Sequence, residues 1–384
     1  MTSANGSHFD VVVIGAGPAG STCSGLLAQR EMKVLLVDKA SFPRDKICGD
    51  CINPKCWEIF DLLGVSDEIR LNGEMVNDIK IAGDSGEIVS IPTRSRSNEF
   101  GAPFVAMKRS VLDSILVKRA IHNGVAFMES TSLESVQQTN GESSAWHVGM
   151  RSSNGKNFAV TGRYLVAADG RNSRVASLLT PLELKTGISE RSRRIGVQFM
   201  INRPSEIGSS VVMFFFEGGY GGIVGVSSDE ANVAMAVLPE ISRLVKDDFP
   251  EFVSATLGNN QHTRSFASKV EALGKISTSF PITPGPKRID TPGMTYLGDA
   301  KQTVEPFTGE GVFYAMQDGV HGAEEISRSF GISQSEGRLG SRGRLRVNSL
   351  FSSLLQRPGL SQPLLRFAAR HTRVARTISK AVLG

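Results

Sequence analysis

In the first forty residues, a segment with helical periodicity lies between two short apolar segments. Phe9–Ile14 and Lys33–Asp38 are compact apolar runs, which predict buried strands. Pro18–Arg30 predicts a helix with proline in its first turn, where the missing N–H is harmless. The chain therefore begins with a predicted β-α-β unit.

The pattern continues with a polar loop and mixed elements up to residue 168. Ser41–Asn53 is polar, and Pro54–Leu63 predicts a helix that stops at Gly64. Turn residues at 83–86 predict a hairpin over Ile79–Ile91. A helix is predicted over Arg109–Asn123. It is followed by a predicted small sheet, with strands Val125–Glu129, Trp146–Arg151 and Phe158–Thr161, and then by the predicted buried strand Arg163–Ala168.

From residue 195 the pattern changes to successive strands. They are predicted at Gly196–Ile201, Val211–Glu217, Gly222–Val226 and Asn232–Val237. Such a run is typical of an antiparallel second domain that covers a substrate cavity. Met294–Leu297 then predicts a short strand, and Gly309–Ser327 predicts a helix.

Positive charge is concentrated at the C-terminal end. The net charge is +5, but residues 338–384 contain ten Lys or Arg and no Asp or Glu, which leaves 33 basic against 38 acidic residues elsewhere. This distribution disfavours a nucleic-acid-binding face on the body of the protein.

The sequence favours a cytoplasmic protein. Met1–Phe9 lacks the features of a signal peptide, and apolar runs such as Val211–Phe216 are far shorter than the ~20 residues of a membrane-spanning helix. Three of the four cysteines are Cys48, Cys51 and Cys56, a spacing unlike that of a secreted disulfide scaffold. The six histidines are scattered, so no metal site is predicted.

A glycine-rich turn follows the first strand directly. In Gly15-Ala16-Gly17-Pro18-Ala19-Gly20, glycines fall where the chain turns sharply and where a pyrophosphate approaches backbone N–H groups at a helix N-terminus. Asp38 ends the next strand, at the position from which an acid binds an adenosine ribose. The unit therefore predicts a dinucleotide site.

Two further motifs carry a family resemblance. Residues 167–175, with Asp169-Gly170, resemble the Asp-Gly segment of flavoprotein aromatic hydroxylases, and Gly298-Asp299 with Thr308-Gly309-Glu310-Gly311 resembles their second FAD fingerprint. The resemblance implies the p-hydroxybenzoate hydroxylase-like fold, with Asp299 on the ribityl chain. The FAD-binding residues predicted from the motifs are Gly15, Gly17, Pro18, Ala19, Gly20, Asp38, Lys39, Arg44, Cys48, Gly49, Arg109, Asp169, Gly170, Gly298, Asp299, Pro306, Gly309 and Gly311.

Within this superfamily, residues 42–50 are most similar to the loop of geranylgeranyl reductases and of neighbouring flavin-dependent monooxygenases and halogenases. Arg109 with Asp113 matches a helix whose arginine contacts FAD in these relatives. The halogenases carry a Trp-x-Trp-x-Ile-Pro stretch, which this chain lacks. Residues 218–224 are similar to a strand that lines the cavity of the reductases and monooxygenases. The predicted catalytic residues are Cys48, Gly49 and Tyr220.

The cysteines offer an alternative interpretation. Cys48 and Cys51 form a C-x-x-C, and Cys51 and Cys56 have the spacing of the redox pair in disulfide reductases. Those enzymes also need a second dinucleotide fingerprint and a C-terminal His-Glu pair, and neither is found. Disulfide reduction is therefore a minor alternative, as is a non-catalytic FAD-binding protein.

The prediction is an FAD-dependent oxidoreductase that reduces carbon-carbon double bonds of a small hydrophobic substrate, isoprenoid or lipid-like. The alternative is a monooxygenase acting on an aromatic or polyketide-like substrate. NAD(P)H or another donor would supply electrons. The basic C-terminal segment has Leu350, Phe351, Leu364 and Leu365 near its arginines. Two alternatives stay open for it: a basic helix packed on the acidic body of the protein, and peripheral contact with the inner face of the membrane.

The predicted fold class is α/β, α+β overall, with a Rossmann-like FAD-binding domain, an inserted antiparallel-sheet substrate domain and a helical C-terminal tail. The FAD-binding domain is discontinuous, over 8–75, 101–180 and 276–330. The substrate domain covers 76–100 and 185–275, and the basic helical segment covers 331–384.

Overall fold

The computed structural model describes residues 6–82, 88–92, 103–139, 145–179, 194–245, 248–282, 288, 290–304 and 309–332. In these ranges the strands are β1 (His8–Ile14), β2 (Val34–Val37), β3 (Cys51–Ile52), β4 (Glu74–Val76), β5 (Asp78–Ala82), β6 (Ile88–Pro92), β7 (Phe104–Ala106), β8 (Ala126–Met128), β9 (Thr131–Gln138), β10 (Trp146–Ser152), β11 (Asn157–Ala167), β12 (Ile195–Asn202), β13 (Ser210–Phe216), β14 (Gly219–Gly225), β15 (Glu230–Val237), β16 (Leu273–Ser279) and β17 (Met294–Tyr296). The α-helices are α1 (Pro18–Gln29), α2 (Cys56–Leu63), α3 (Ser66–Asn72), α4 (Arg109–His122), α5 (Arg174–Leu179), α6 (Pro239–Val245), α7 (Phe249–Gly258), α8 (Arg264–Ala267) and α9 (Glu310–Ser329).

The first sheet has the order β8-β2-β1-β11-β10-β9, and β17 pairs with the end of β11. Strands β8, β2, β1, β11 and β17 are parallel, whereas β10 and β9 are antiparallel. Helix α1 is buried along most of its length, since Pro18 through Leu27 are all shielded from solvent, and it packs against α9. A helix made mostly of small and apolar residues fits such a position between layers.

The predicted small sheet is wrong in its connectivity. Phe158–Thr161 and Arg163–Ala168 are one strand, β11, that pairs with β10 in its first half and with β17 at its end. Strand β8 pairs with β2 at the opposite edge. These segments extend the first sheet because β11 is long enough to serve two neighbours in succession.

The second sheet has the order β16-β12-β15-β14-β13-β5-β6. Neighbours are antiparallel except β13 and β5. The hairpin strands predicted over Ile79–Ile91 are confirmed as β5 and β6, while the turn at 83–87 lies outside the described residues. One face packs against α7 and α8 through Val253, Leu257 and Phe266.

A third sheet of β3, β7 and β4 joins the two halves. Its middle strand contacts two cores, because Val105 packs with the first-sheet core while Phe104 and Ala106 pack with the second-sheet core. This alternation follows from the two-residue period of a strand. The small sheet therefore fixes the second sheet beside the first.

The α/β class, α+β overall, with a Rossmann-like parallel sheet and a largely antiparallel second sheet, is confirmed. The domain boundaries stay a prediction, and all of 333–384 lies outside the described residues. Of the helices described, none combines the length and the apolar character needed to cross a bilayer.

Candidate functional site

Four parallel strands direct their following loops to one edge of the first sheet. β1 leads to Gly15, β2 to Asp38, β11 to Asp169 and β17 to Gly298. In open α/β sheets, ligands bind outside the carboxyl ends of the strands. The dispersed motifs of the sequence therefore meet along one groove.

The glycine turn is closely packed against its neighbours. Gly15 has φ +105°, and a Cβ there would lie 2.4 Å from the Ala168 carbonyl oxygen. A Cβ on Gly20 would lie 1.9 Å from the Gly15 oxygen. Among the described residues no side chain caps α1 at Gly17, so the first N–H groups of the helix are available to an anion.

Asp38 ties this turn to the second strand. Its Oδ2 accepts a hydrogen bond from Ala16 N at 2.8 Å, and its Oδ1 accepts one from Ala40 N at 2.9 Å. Carboxylate oxygens accept more than one hydrogen bond each, so a ribose hydroxyl can still bind. The neighbouring Lys39 side chain is exposed.

Two arginines share the fully buried carboxylate of Asp113. Arg109 binds it in bidentate fashion, with both N···O distances 2.9 Å, and Arg44 Nη2 lies 3.2 Å from its Oδ2. The Arg44 guanidinium also lies 3.5 Å from the position of a Cβ on Gly17. The pair of arginines therefore places positive charge beside the turn.

A second charged cluster surrounds Asp299. Burial raises the pKa of this carboxyl, while Arg171, Lys46 and Arg109 oppose the shift. The Lys46 side chain is solvent-accessible, but desolvation of its ammonium group by surrounding protein, together with Arg171, Arg109 and Arg44, lowers its pKa to about 8. Sequence reasoning assigned no role to Lys46 and Arg171, although both lie in motif loops that follow β2 and β11.

These residues fit FAD. The groove brings four cations, Arg44, Lys46, Arg109 and Arg171, among the carboxylates of Asp38, Asp113 and Asp299, and the Arg44 guanidinium reaches the glycine turn, where it can bind a pyrophosphate. A Cβ on Gly49 or Gly170 would meet nothing within 4 Å, which leaves open space beside the loops. The individual contacts with FAD stay predictions.

The second fingerprint packs against the first. Gly298 has φ +56°, donates its N–H to Asp318 Oδ2 at 3.0 Å, and lies so close to α1 that a Cβ would approach Ala19 Cβ at 3.1 Å. Gly309, the N-cap of α9, has φ +66°. A Cβ on Gly311 would lie 3.9 Å from Val304 Cγ2, and the predicted site residue Pro306 lies outside the described residues.

Asp169 has a structural role that the sequence did not indicate. Its Oδ2 accepts hydrogen bonds from Arg174 N at 2.6 Å and Val175 N at 3.1 Å, at the N-terminus of α5. Its Oδ1 is buried and has no hydrogen bond within the described residues. One oxygen thus remains for a ligand beside Gly170.

The thiols of the Cys48 loop are protonated at neutral pH. Burial raises the pKa of Cys48, with Asp50 adding to the effect and Arg109 opposing it. Burial also raises the pKa of Cys51 to about 12, and all four cysteines are free. Because the thiolate is the reactive form, this environment disfavours dithiol chemistry.

Tyr220 lies in the apolar core between the second and third sheets. It is 5% exposed, its ring centroid lies 6.3 Å from that of Phe215, and the Arg194 guanidinium is 5.7 Å from its ring. In this position the ring packs as a core aromatic. A catalytic role for Tyr220 stays a prediction.

Asp299→Ala is expected to release FAD, because it removes the predicted ribityl acceptor and leaves Lys46 and Arg171 without their carboxylate. The affinity for FAD should fall about tenfold, the equivalent of roughly 1.4 kcal/mol, and flavin content after desalting, read by absorbance, should fall with it. Asp67→Ala, which changes an exposed acid on α3, is the control. Full flavin retention by the Asp299 variant would refute the assignment.

Asp50→Asn is expected to stabilise the fold. Burial raises the pKa of Asp50 from 3.8 to about 8, with Arg109 opposing the shift. Between these values the native state keeps a proton that the unfolded chain loses, so rising pH progressively lowers stability. The melting temperature of the variant should exceed that of the wild type by a margin that grows from pH 4 to pH 8. A margin independent of pH would contradict the expectation.

The comparisons with known proteins agree with this geometry. The family model described as FAD binding domain matches residues 8–330. The chain is 29% identical to Conditioned medium factor receptor 1 of Dictyostelium discoideum over 81% of its length, but spans only 62% of that protein. It is 28% identical to Menaquinone reductase of Mycolicibacterium smegmatis (83% of this chain, 76% of that one) and 27% identical to Digeranylgeranylglycerophospholipid reductase of Methanocella arvoryzae (82% and 76%).

Solved structures share the fold. A flavoprotein/dehydrogenase from Cytophaga hutchinsonii matches with a TM-score of 0.76 at 20% identity, over 94% of this chain and 88% of that one. A probable FAD-dependent monooxygenase from Pseudomonas aeruginosa matches with a TM-score of 0.75 at 18% identity, over 94% and 99%. Because the family model matches residues 8–330, well over half of the chain, and the relatives include reductases, the chain belongs to the FAD binding domain family and is an FAD-dependent oxidoreductase.

Proposed function

We propose that the protein reduces carbon-carbon double bonds of a hydrophobic, isoprenoid or lipid-like substrate. The observation that carries the proposal is the apolar layer beside the Cys48 loop. Its side chains come from both the second and the third sheet and include Val76, Phe104, Phe215, Tyr220 and Ile282, with Cys51 packed against them. These side chains are buried against one another, so a substrate bound beside the Cys48 loop would border hydrocarbon, which favours an apolar ligand.

The names of the relatives support the same substrate class. Menaquinone reductase and Digeranylgeranylglycerophospholipid reductase each cover more than four fifths of this chain. Bound FAD, when reduced, would supply hydride. The chain would hold it through the glycine turn, Arg44 and Asp299, and the protonated Cys48 thiol would shape the pocket or relay the proton.

An anaerobic single-turnover experiment tests the proposal. Photoreduced protein is mixed with a panel of polyprenyl lipids, quinones and aromatic compounds, and flavin reoxidation is followed by absorbance. Reduction gives a product two mass units heavier without oxygen, since hydride and a proton are added. A product sixteen units heavier, formed only with oxygen, would establish the alternative monooxygenase and overturn the reductase.

The electron donor and the membrane contact are also proposals. NADPH and NADH can be compared by the rate at which each reduces the bound flavin. Membrane contact is tested by sedimentation with anionic liposomes, comparing the full chain with a full-length variant in which Arg366, Arg370, Arg373, Arg376 and Lys380 are glutamine. Salt-sensitive pelleting that the variant loses supports contact, and equal pelleting of both proteins refutes it.

A further inference from the structure

Two amide side chains of the second sheet face the Cys48–Asp50 segment. Gln198 lies on β12 and Asn232 on β15, and the register pairs Gln198 with Ala234 and Asn232 with Met200. The amides are therefore diagonal neighbours on adjacent strands. Their sequence neighbours, such as Phe199, pack into the core on the opposite face. Both amides thus point toward the first-sheet half of the molecule.

Together they bind both backbone groups of Cys48. Cys48 N donates to Gln198 Oε1 at 3.1 Å, and Asn232 Nδ2 donates to the Cys48 carbonyl at 2.9 Å. Gln198 Nε2 also donates to Asp50 Oδ2 at 3.3 Å. Gln198 therefore binds both ends of the Cys48–Asp50 segment, and Asn232 binds its first residue.

Other elements hold the same segment from different sides. The Asp50 carbonyl accepts a hydrogen bond from Met107 N at 2.8 Å, and a Cβ on Gly309 would lie 2.8 Å from the Cys51 carbonyl oxygen. Asp50 has φ +53°. A non-glycine residue adopts this conformation at a cost and keeps it only when its surroundings over-determine it.

Stability of the fold alone does not explain the amides. Burying a polar side chain on an apolar sheet face costs desolvation, which its hydrogen bonds only about offset, so the amides add little net stability beyond pairing the backbone groups of Cys48. Asn232 is fully buried, and its Oδ1 has no hydrogen bond within the described residues. What the amides add is one defined position for the segment.

We propose that Gln198 and Asn232 are positioning residues, which fix Cys48 and Gly49 at the flavin face from the substrate side. The inference rests on the proposed function, because the segment matters to the reaction only where it borders the flavin. In this arrangement the sheet that covers the substrate also sets the geometry of the loop. A substrate that shifts β12 or β15 would shift Cys48 with it.

The test measures alkylation of Cys48 by iodoacetamide in FAD-loaded protein, with peptide mass spectrometry. Cys23 is fully buried in α1 and reports global opening in the same sample. Gln198→Met, which removes both of its hydrogen bonds to the segment, should raise the Cys48 rate about tenfold while the Cys23 rate stays unchanged. Gln198→Glu keeps the acceptor for Cys48 N and should give a smaller increase. Gln137→Met, an exposed glutamine on β9, should change nothing.

Asn232→Leu provides a second variant should Gln198→Met fail to fold. A Cys48 rate equal to that of the wild type in both Gln198→Met and Asn232→Leu overturns the proposal, as does a parallel rise at Cys23. Turnover of the wild type on the substrate panel is measured separately. Faster Cys48 alkylation with no turnover by any protein would support the positioning role and refute the proposed function.

Discussion

Gly20→Ala is expected to abolish FAD retention and to destabilise the fold. The new Cβ would lie 1.9 Å from the Gly15 carbonyl oxygen and 3.1 Å from Ala168 Cβ. Both the turn and the end of β11 would have to move, and overpacking of this kind costs about 1–3 kcal/mol or more. Because the displaced backbone is the predicted pyrophosphate cradle, FAD affinity should fall by more than about tenfold.

A glycine in the same helix provides the control. Gly25 is also buried in α1, but a Cβ there would make ordinary contacts, the nearest being Ala120 Cα at 3.6 Å. Alanine favours the helix by up to about 1 kcal/mol over glycine, so Gly25→Ala should be neutral or stabilising. Flavin content after desalting and the melting temperature measure both variants. If Gly20→Ala behaves like Gly25→Ala, the packing account of the turn is wrong.

The β-α-β unit could be predicted because its signals are local. The apolar runs, the proline at the helix start and the acid that ends the second strand all lie within thirty residues and correspond to β1, α1, β2 and Asp38. The helix ending before Gly64 is also confirmed, with Gly64 in the left-handed region at φ +67°. Local sterics and hydrogen bonding decide such features.

Strand pairing could not be predicted in the same way. β9 and β16 were missed because they carry many exposed polar side chains and lack a run of apolar residues. β8 was assigned to the wrong neighbours because its partner, β2, is some ninety residues away. Periodicity predicts that a segment is extended, but its neighbours depend on non-local packing.

In the site, too, local features could be predicted and non-local contacts could not. The sequence predicted the glycines and Asp299 after strand ends, and the structure has them there, while their contacts with FAD stay predictions. It assigned no role to Lys46 or Arg171, which approach Asp299 from two separate loops. The sequence also indicated no role for Gln198, because this residue lies about 150 residues from the Cys48–Asp50 segment that it binds. Charged and amide side chains at these positions have no local signature.

Asp113→Ala is expected to be the most destabilising single change in the groove. The fully buried carboxylate binds Arg109 at 2.9 Å through two contacts and Arg44 at 3.2 Å. Removing one partner of a buried ion pair leaves uncompensated charge and costs about 3–5 kcal/mol. Here Arg109 loses its bidentate partner and Arg44 loses the nearer of its two carboxylates, since Asp38 stays 3.9 Å away, so the free energy of unfolding from urea titration should fall by about that amount.

The effect should depend on anions, which distinguishes lost charge from lost packing. The two freed guanidinium groups lie beside the predicted pyrophosphate site, so FAD or sulfate should restore part of the lost stability of Asp113→Ala, whereas chloride at equal ionic strength should restore less. Asp113→Asn keeps the volume but not the charge and should show the same anion dependence. Leu112→Ala, on the same turn of α4, removes a fully buried apolar side chain. This variant should lose stability too, but sulfate should not restore it selectively over chloride. If sulfate stabilises the Asp113 and Leu112 variants equally, the carboxylate is not the counter-ion of the two arginines.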